Sequence, residues 1–340
     1  MKETLGIFAF SCLSLLTASA FAAAPAWLDT AVSAEAAHTV EMRRHLHANP
    51  ELGNQEKQTQ AYIVQKLKEF GVDEVLVGYK NSPTAVIGVI NPKKADAIGL
   101  RADIDALPIK ENTGLAFESK AKGQMWGKTS DVSHICGHDM HMAMLLSAAR
   151  ILAAHKADVP RKVVLVFQPA EEGDSITNPF VTDNPKLSGA RALVEDGMLE
   201  QFGIKQMYGI HVMARVPAGK MLVAQGTALN SADAFQIDIE GRQAHGAMPW
   251  TGVDATLTAA QTVVALQQIV SRNVNLTQGM GVITVGKLQA GETVEHDAFG
   301  RGLVLSVRPM GGDALLEVAF DTVGTKKLML KAASHHLKKV

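Results

Sequence analysis

The alternation of apolar and polar positions divides the chain into two textures. In the first, Ile63, Leu67 and Phe70 fall at i, i+4 and i+7 within Lys57–Phe70, which predicts a helix, and Gly71 supplies its stop. Short runs rich in β-formers follow at Glu74–Val77, Thr84–Ile90 and Ala97–Arg101. A helix is predicted over Met140–Ala154, an apolar strand over Lys162–Phe167, a helix over Gly189–Glu195 and a strand over Met207–Val212. Buried strands alternating with helices predict an α/β fold, a mostly parallel sheet covered on both faces.

From about Leu229 the texture changes. Ala234–Ile239 alternates like a half-buried strand, Asp254–Val270 reads as a long helix, and Gly281–Leu288 reads as another strand. This block predicts a separate, smaller α+β unit. A length of 340 residues also points to about two domains.

Hydrophobic residues make up 47% and charged residues 20%, which is a globular balance. The 33 Lys and Arg nearly cancel the 34 Asp and Glu without forming a basic stripe, so nucleic acid is not an expected partner. Lys2 precedes an apolar run from Leu5 to Leu16 and then small residues from Thr17 to Ala24, the order of a secretory signal. Residues 1–24 are read as a signal peptide cleaved after Ala22 or Ala24, which leaves a periplasmic or secreted protein with no membrane partner. Of the two cysteines Cys12 departs with the signal, so Cys136 has no internal disulfide partner. It is then either a small buried hydrophobe or a thiolate held by a metal.

In open α/β sheets ligands bind beyond the carboxyl ends of the strands. Four segments deliver metal-competent side chains to that edge. They are Asp103 and Asp105, Glu171 and Glu172 after Pro169, His211, and the run of His134, Cys136, His138, Asp139 and His141. Cys136 and His138 flank Gly137, which permits a tight path, and a thiolate with an imidazole suits zinc-like ions better than calcium or magnesium. Adjacent Glu171 and Glu172 diverge in extended backbone, so one can face a metal while the other faces its water; the bland reading is a solvated acidic loop. Asp103 and Asp105 either orient a ligand or a catalytic carboxylate, or form a surface pair with Arg101. His211 reads as a core histidine or a ligand, and His141 as a supporting helix residue.

Together these segments resemble the M20 metallopeptidase family, in its branch of hippurate and N-acyl-amino-acid amidohydrolases. The matching stretches are Arg43–Leu52, Leu100–Pro108, His134–His141, Gln168–Gly173, Gly209–His211 and Gly241–Pro249. The resemblance runs in order from about Ala36 to Gly291. It implies a catalytic domain over 25–225, interrupted by a smaller ferredoxin-like α+β domain over 226–310 that mediates homodimerisation, with an atypical tail over 311–340. It also implies Cys136, His138, Glu172 and His211 as metal ligands, Glu171 as general base, and catalytic parts for Asp105 and His245. The cofactor would be two divalent ions (Zn, Mn, Co or Ni), and the substrate an N-acyl amino acid or peptide.

The chain departs from the family pattern at Trp250, where this branch often carries His, and after Gly291. His296, His335 and His336 do not lie in the surroundings expected of the family's final His ligand. A shifted reading frame or an early stop is the expectation there, which would leave one metal position short of a ligand. Active amidohydrolase, sibling carboxypeptidase or dipeptidase, and impaired pseudoenzyme are the readings carried forward.

Overall fold

The computed structural model describes residues 24–180, 182, 186–214, 216–223, 225–226, 231–289, 291 and 293–339. Apart from Ala24, the expected signal segment lies outside the described residues. Among the described residues no helix is long and apolar enough to cross a membrane.

The chain begins with α1 (Leu28–Ala48) and α2 (Lys57–Glu69), followed by β1 (Glu74–Tyr79), β2 (Ser82–Ile90) and β3 (Ala97–Asp103). A hairpin of β4 (Lys122–Met125) and β5 (Lys128–Asp131) precedes α3 (His138–Ala154) and β6 (Val163–Gln168). Then come α4 (Gly189–Glu195), α5 (Met198–Phe202) and β7 (Ile204–Gly209). The main sheet has the order β1-β2-β6-β3-β7. β2 pairs antiparallel with both β1 and β6, while β3 pairs parallel with β6 and β7, so only β2 runs against the other strands.

Every residue of β6 is buried, and its period of two explains why the run is continuously apolar. Val163, Leu165 and Phe167 join a core with Met42 and Leu46 of α1, Ile63 and Leu67 of α2, and Met142 and Leu146 of α3. Val164 and Val166 point the other way, into a core with Ile87, Leu193, Met198 and Phe202. The expected α/β architecture is therefore the observed one. Helix α1 carried no helical periodicity, because only Glu35, Met42, Leu46 and His47 are buried along it.

The second texture folds differently from its reading. The expected helix is present as α6 (Ala255–Gln268), capped by Asp254, whose Oδ1 accepts the Leu257 N–H at 2.8 Å. It buries none of its residues. Ala234–Ile239 and Gly281–Leu288 form no strands. Alternation stabilises a strand only when a neighbour takes up its backbone N–H and C=O groups, and no ladder reaches these segments among the described residues.

Pairing resumes beyond them. β8 (Thr293–His296), β9 (Gly300–Met310), β10 (Asp313–Phe320), β11 (Gly324–Met329) and β12 (Leu337–Lys339) form an antiparallel sheet in the order β11-β10-β9-β8-β12. Val294, Leu316, Val318 and Phe320 give it a core of its own. This sheet continues across the expected boundary between the small domain, ending at residue 310, and the tail, starting at residue 311.

Candidate metal centre

β6, β3 and β7 are adjacent and parallel, so their carboxyl ends deliver Glu171 and Glu172, Asp103 and Asp105, and His211 to one edge. β7 ends three residues earlier than its sequence pattern suggested, and His211 lies just past it in irregular backbone. Helix α3 brings the remaining groups. Its first residue is His138, and its cap is Gly137 in the left-handed conformation (φ 92°). A Cβ on Gly137 would lie 2.2 Å from Cγ2 of Val212, so only glycine lets the Cys136 loop pass this close to the His211 segment.

The imidazoles show what the cluster is built to hold. His138 Nδ1 lies 2.9 Å from the Asp105 carbonyl oxygen, which can only accept, so Nδ1 carries the proton. The buried Nε2 has no hydrogen-bond partner among the described residues. It faces Asp103 Oδ2 at 3.6 Å, Glu171 Oε2 at 3.7 Å and Glu172 Oε1 at 3.9 Å. His211 repeats the arrangement, with Nδ1 donating to the Val212 carbonyl at 2.7 Å and Nε2 3.5 Å from Cys136 Sγ. Two ring nitrogens, a sulfur and several carboxylate oxygens thus converge.

Their proton affinities report the same conflict. Burial opposes charge on His138, but the hydrogen bond and charge of Asp105 and the charge of Asp103 overcome it and lift the ring to about 9. Burial, reinforced by the negative charge of Glu172, pushes the Cys136 thiol up to about 12. Burial also raises the Glu172 carboxyl. Only a positive charge relieves all three, and a divalent cation does so while deprotonating the thiol. The donor set therefore fits a metal ion.

Two overlapping groups, Cys136 with His138 and His211, and His138 with Glu171 and Glu172, have donor atoms within 4.8 Å of one another. A third group of Asp103, His138 and His141 meets the same criterion. His141, however, has both nitrogens committed, with Nδ1 donating to Asp103 Oδ1 at 2.6 Å and Nε2 accepting the Val212 N–H at 2.9 Å. It is a support, as its sequence position suggested.

The aspartates are buried, so neither forms the surface pair that one reading expected. Asp103 pairs with Arg101 at 2.7 Å and also with His141. Burial alone would raise its carboxyl, yet His141, His138 and Arg101 bring it down to about 2. Asp105 accepts the Glu172 N–H at 2.9 Å through Oδ2, while Oδ1 lies 3.4 Å from His138 Nδ1. It therefore orients one donor and anchors the backbone of another.

His245 sits exposed on a turn, where its Nδ1 accepts the Ala247 N–H at 3.2 Å, and it is in none of the donor groups found among the described residues. His296 stacks on Phe299 inside the C-terminal sheet, and His336 pairs with Asp297 at 3.2 Å. Sequence reasoning gave no role to a buried network behind the centre. In it His47 bridges Asp139 at 2.8 Å and Glu111 at 2.9 Å, and Arg43 reaches Asp139 at 2.7 Å. Its signal was present in the Arg43–Leu52 stretch, but the role needed the fold.

A comparison with protein-family models decides the kinship. Residues 99–302 match the model of peptidase family M20/M25/M40, which covers most of the main sheet's carboxyl edge and α6. The chain belongs to peptidase family M20/M25/M40. This M20 chain is 41% identical to the N-acetyl-L-cysteine deacetylase of Bacillus subtilis over 254 residues, 75% of the chain and 55% of that protein. It is 38% identical to the hippurate hydrolase of Campylobacter jejuni over 274 residues, 80% of the chain and 64% of that protein. The chain thus spans little more than half to just under two thirds of these relatives. A structure assigned as an aminohydrolase of methicillin resistant Staphylococcus aureus superposes with a TM-score of 0.53 at 28% identity, covering 89% of this chain and 66% of that one. A second family model, the PcrA/UvrD tudor domain, matches residues 290–334, the stretch of β8 to β11. The M20 resemblance was expected to fade after Gly291; the M20 match runs on to residue 302 and overlaps the tudor match, which begins at residue 290.

Proposed function

We propose that this M20 chain is a metal-dependent amidohydrolase that cleaves the amide bond of N-acyl amino acids of the hippurate type. What carries the reading is the His138 Nε2 atom, buried and without a partner among the described residues, set between carboxylates and the Cys136–His211 pair. Cys136, His138, Glu172 and His211 would hold the ions, two per subunit. An ion held by these residues would supply Lewis acidity toward the scissile carbonyl and make water a better nucleophile near neutral pH. Glu171 has the more exposed carboxylate of the acidic pair, free to take the proton of the attacking water and pass it to the leaving amine. Asp105 and Asp103 keep His138 and His141 in the required tautomers and orientations.

The deacetylase and hydrolase names of the relatives support an acyl-amino-acid substrate over a larger one. Dimerisation, export to the periplasm and a catalytic part for His245 belong to the same proposal. The test is direct: purify the chain, measure bound metal, and assay hydrolysis of hippurate and N-acetyl amino acids before and after chelation. Turnover that stops with the chelator and returns with zinc, manganese or cobalt is the expected result. Metal-free protein without turnover under all these conditions would favour the impaired pseudoenzyme, and preference for unblocked peptides would favour the carboxypeptidase or dipeptidase reading.

A further inference from the structure

The loop between α1 and α2 lies beneath both acidic turns of the centre. Its Glu51 carbonyl accepts the Ala106 N–H at 2.8 Å, which ties it to the Asp105 turn. Gly53 packs against the other turn so closely that a Cβ would lie 2.2 Å from the Gly173 carbonyl oxygen and 3.0 Å from Cα of Ala170. Glu56, 0% exposed, completes the contact. Its Oε1 accepts the Ala170 N–H at 2.9 Å, and its Oε2 accepts the Thr84 hydroxyl at 2.7 Å.

Ala170 is the residue that requires this support. It adopts φ 49°, a left-handed conformation that is unfavourable for a residue with a Cβ, immediately before Glu171 and Glu172. Such strain persists only where the surroundings over-determine it, and it concentrates at functional sites. A carboxylate in a dry interior is a poor choice for stability alone, since an apolar side chain of similar volume is often at least as good there. Glu56 forms no ion pair among the described residues, so its two hydrogen bonds are what its burial achieves.

We propose that Glu56 is a positioning residue: by holding the Ala170 amide it fixes the left-handed turn from which Glu171 and Glu172 reach His138. The proposal rests on the parts given above to Glu171 and Glu172. It implies that Glu56 acts only through backbone, never touching substrate or metal.

Glu56→Gln retains an oxygen for the Ala170 amide, whereas Glu56→Leu keeps similar bulk and removes the acceptor. Amide hydrogen exchange over residues 168–176 of the metal-free chain is the first readout. It should speed up in the Leu variant and stay at the wild-type level in the Gln variant, with exchange in α3 and β6 unchanged in both. Cobalt affinity, followed through the thiolate-to-cobalt absorption of Cys136, should fall on the order of 10–100-fold with Leu and no more than ~3-fold with Gln. Where turnover is present, kcat should fall with Leu while KM moves little. Unchanged exchange at 168–176 in Glu56→Leu would overturn the proposal. So would faster exchange throughout the molecule in both variants, because that marks a general core residue. If Glu56→Leu does not fold, Thr84→Val frees one side of the carboxylate and should produce the same local pattern at smaller amplitude; wild-type exchange there overturns the proposal equally. Wild-type protein that takes up no cobalt would remove the metal reading, while the exchange comparison still decides the part played by Glu56.

Discussion

The main sheet and the segment that follows it carry similar amounts of apolar sequence, yet they use it in opposite ways. In β6 both faces of the strand are covered, and Phe167 is 0% exposed. In the later segment Val282 is 81% exposed and Met221 82%, and α6 presents Leu257 and Val264 to solvent. The difference lies in partners rather than composition. β6 has a neighbour on each edge and helices above and below, whereas Ala234–Ile239 and Gly281–Leu288 have no adjacent strand among the described residues. Hydrophobic patterning proposes an element, and a neighbour within reach realises it. Exposed apolar surface on this scale is the usual mark of an interaction face, which fits the dimerising role proposed for this segment.

The contrast can be tested at four points, in decreasing order of effect. At the centre, Glu171→Gln should lower kcat roughly 10²–10⁴-fold while leaving metal content near the wild-type level. Metal analysis alongside the hippurate assay checks both halves, and near-normal turnover would remove Glu171 from the base role. In the sheet, Phe167→Ala should cost about 3–5 kcal/mol in urea unfolding, because the cavity it leaves has no room to collapse.

The third test uses pH. His134 is buried, and both ring nitrogens lack hydrogen-bond partners among the described residues. Burial lowers its pKa from 6.5 to about 4 in the folded chain. Between those two values only the unfolded chain takes up the proton, so stability should fall as pH drops from about 6.5 to about 4 and be unaffected by this group above that range. The slope is of order 1 kcal/mol per pH unit, and His134→Phe should flatten it. A variant with the same acid slope as wild type would assign the effect elsewhere. Last, Val282→Ala in the exposed segment should change monomer stability by no more than ~0.5 kcal/mol. A loss like that of Phe167→Ala would mean that this segment is buried in solution, and its dependence on protein concentration would tell whether a second copy buries it.

Much of the first region could be read directly from the sequence. The α2, α3 and α4 helices and β1, β2, β3 and β6 lie within a few residues of their patterns, because each buries a regular apolar face. α1 was not visible, since its few buried residues include Glu35 and His47, which no hydrophobic pattern would place inside. Glu171, Glu172 and His211 could be nominated because their segments follow predicted strands, and Cys136 and His138 because they flank Gly137 just ahead of a predicted helix. Asp103 and Asp105 could be nominated only with alternatives, and in the folded chain Asp103 is buried between Arg101 and His141.

The sequence by itself determined the sheet's composition, the donor chemistry and the family, because these depend on local periodicity and on residue types in fixed motifs. Tertiary structure alone decided which imidazole nitrogens carry protons and that Glu56 reaches across the fold to the Ala170 amide. It also decided which strand-like segments became strands. The physical reason is the same in each case. A hydrogen bond or ladder between residues tens of positions apart is a property of two surfaces meeting, and neither surface carries a record of the other in its own sequence.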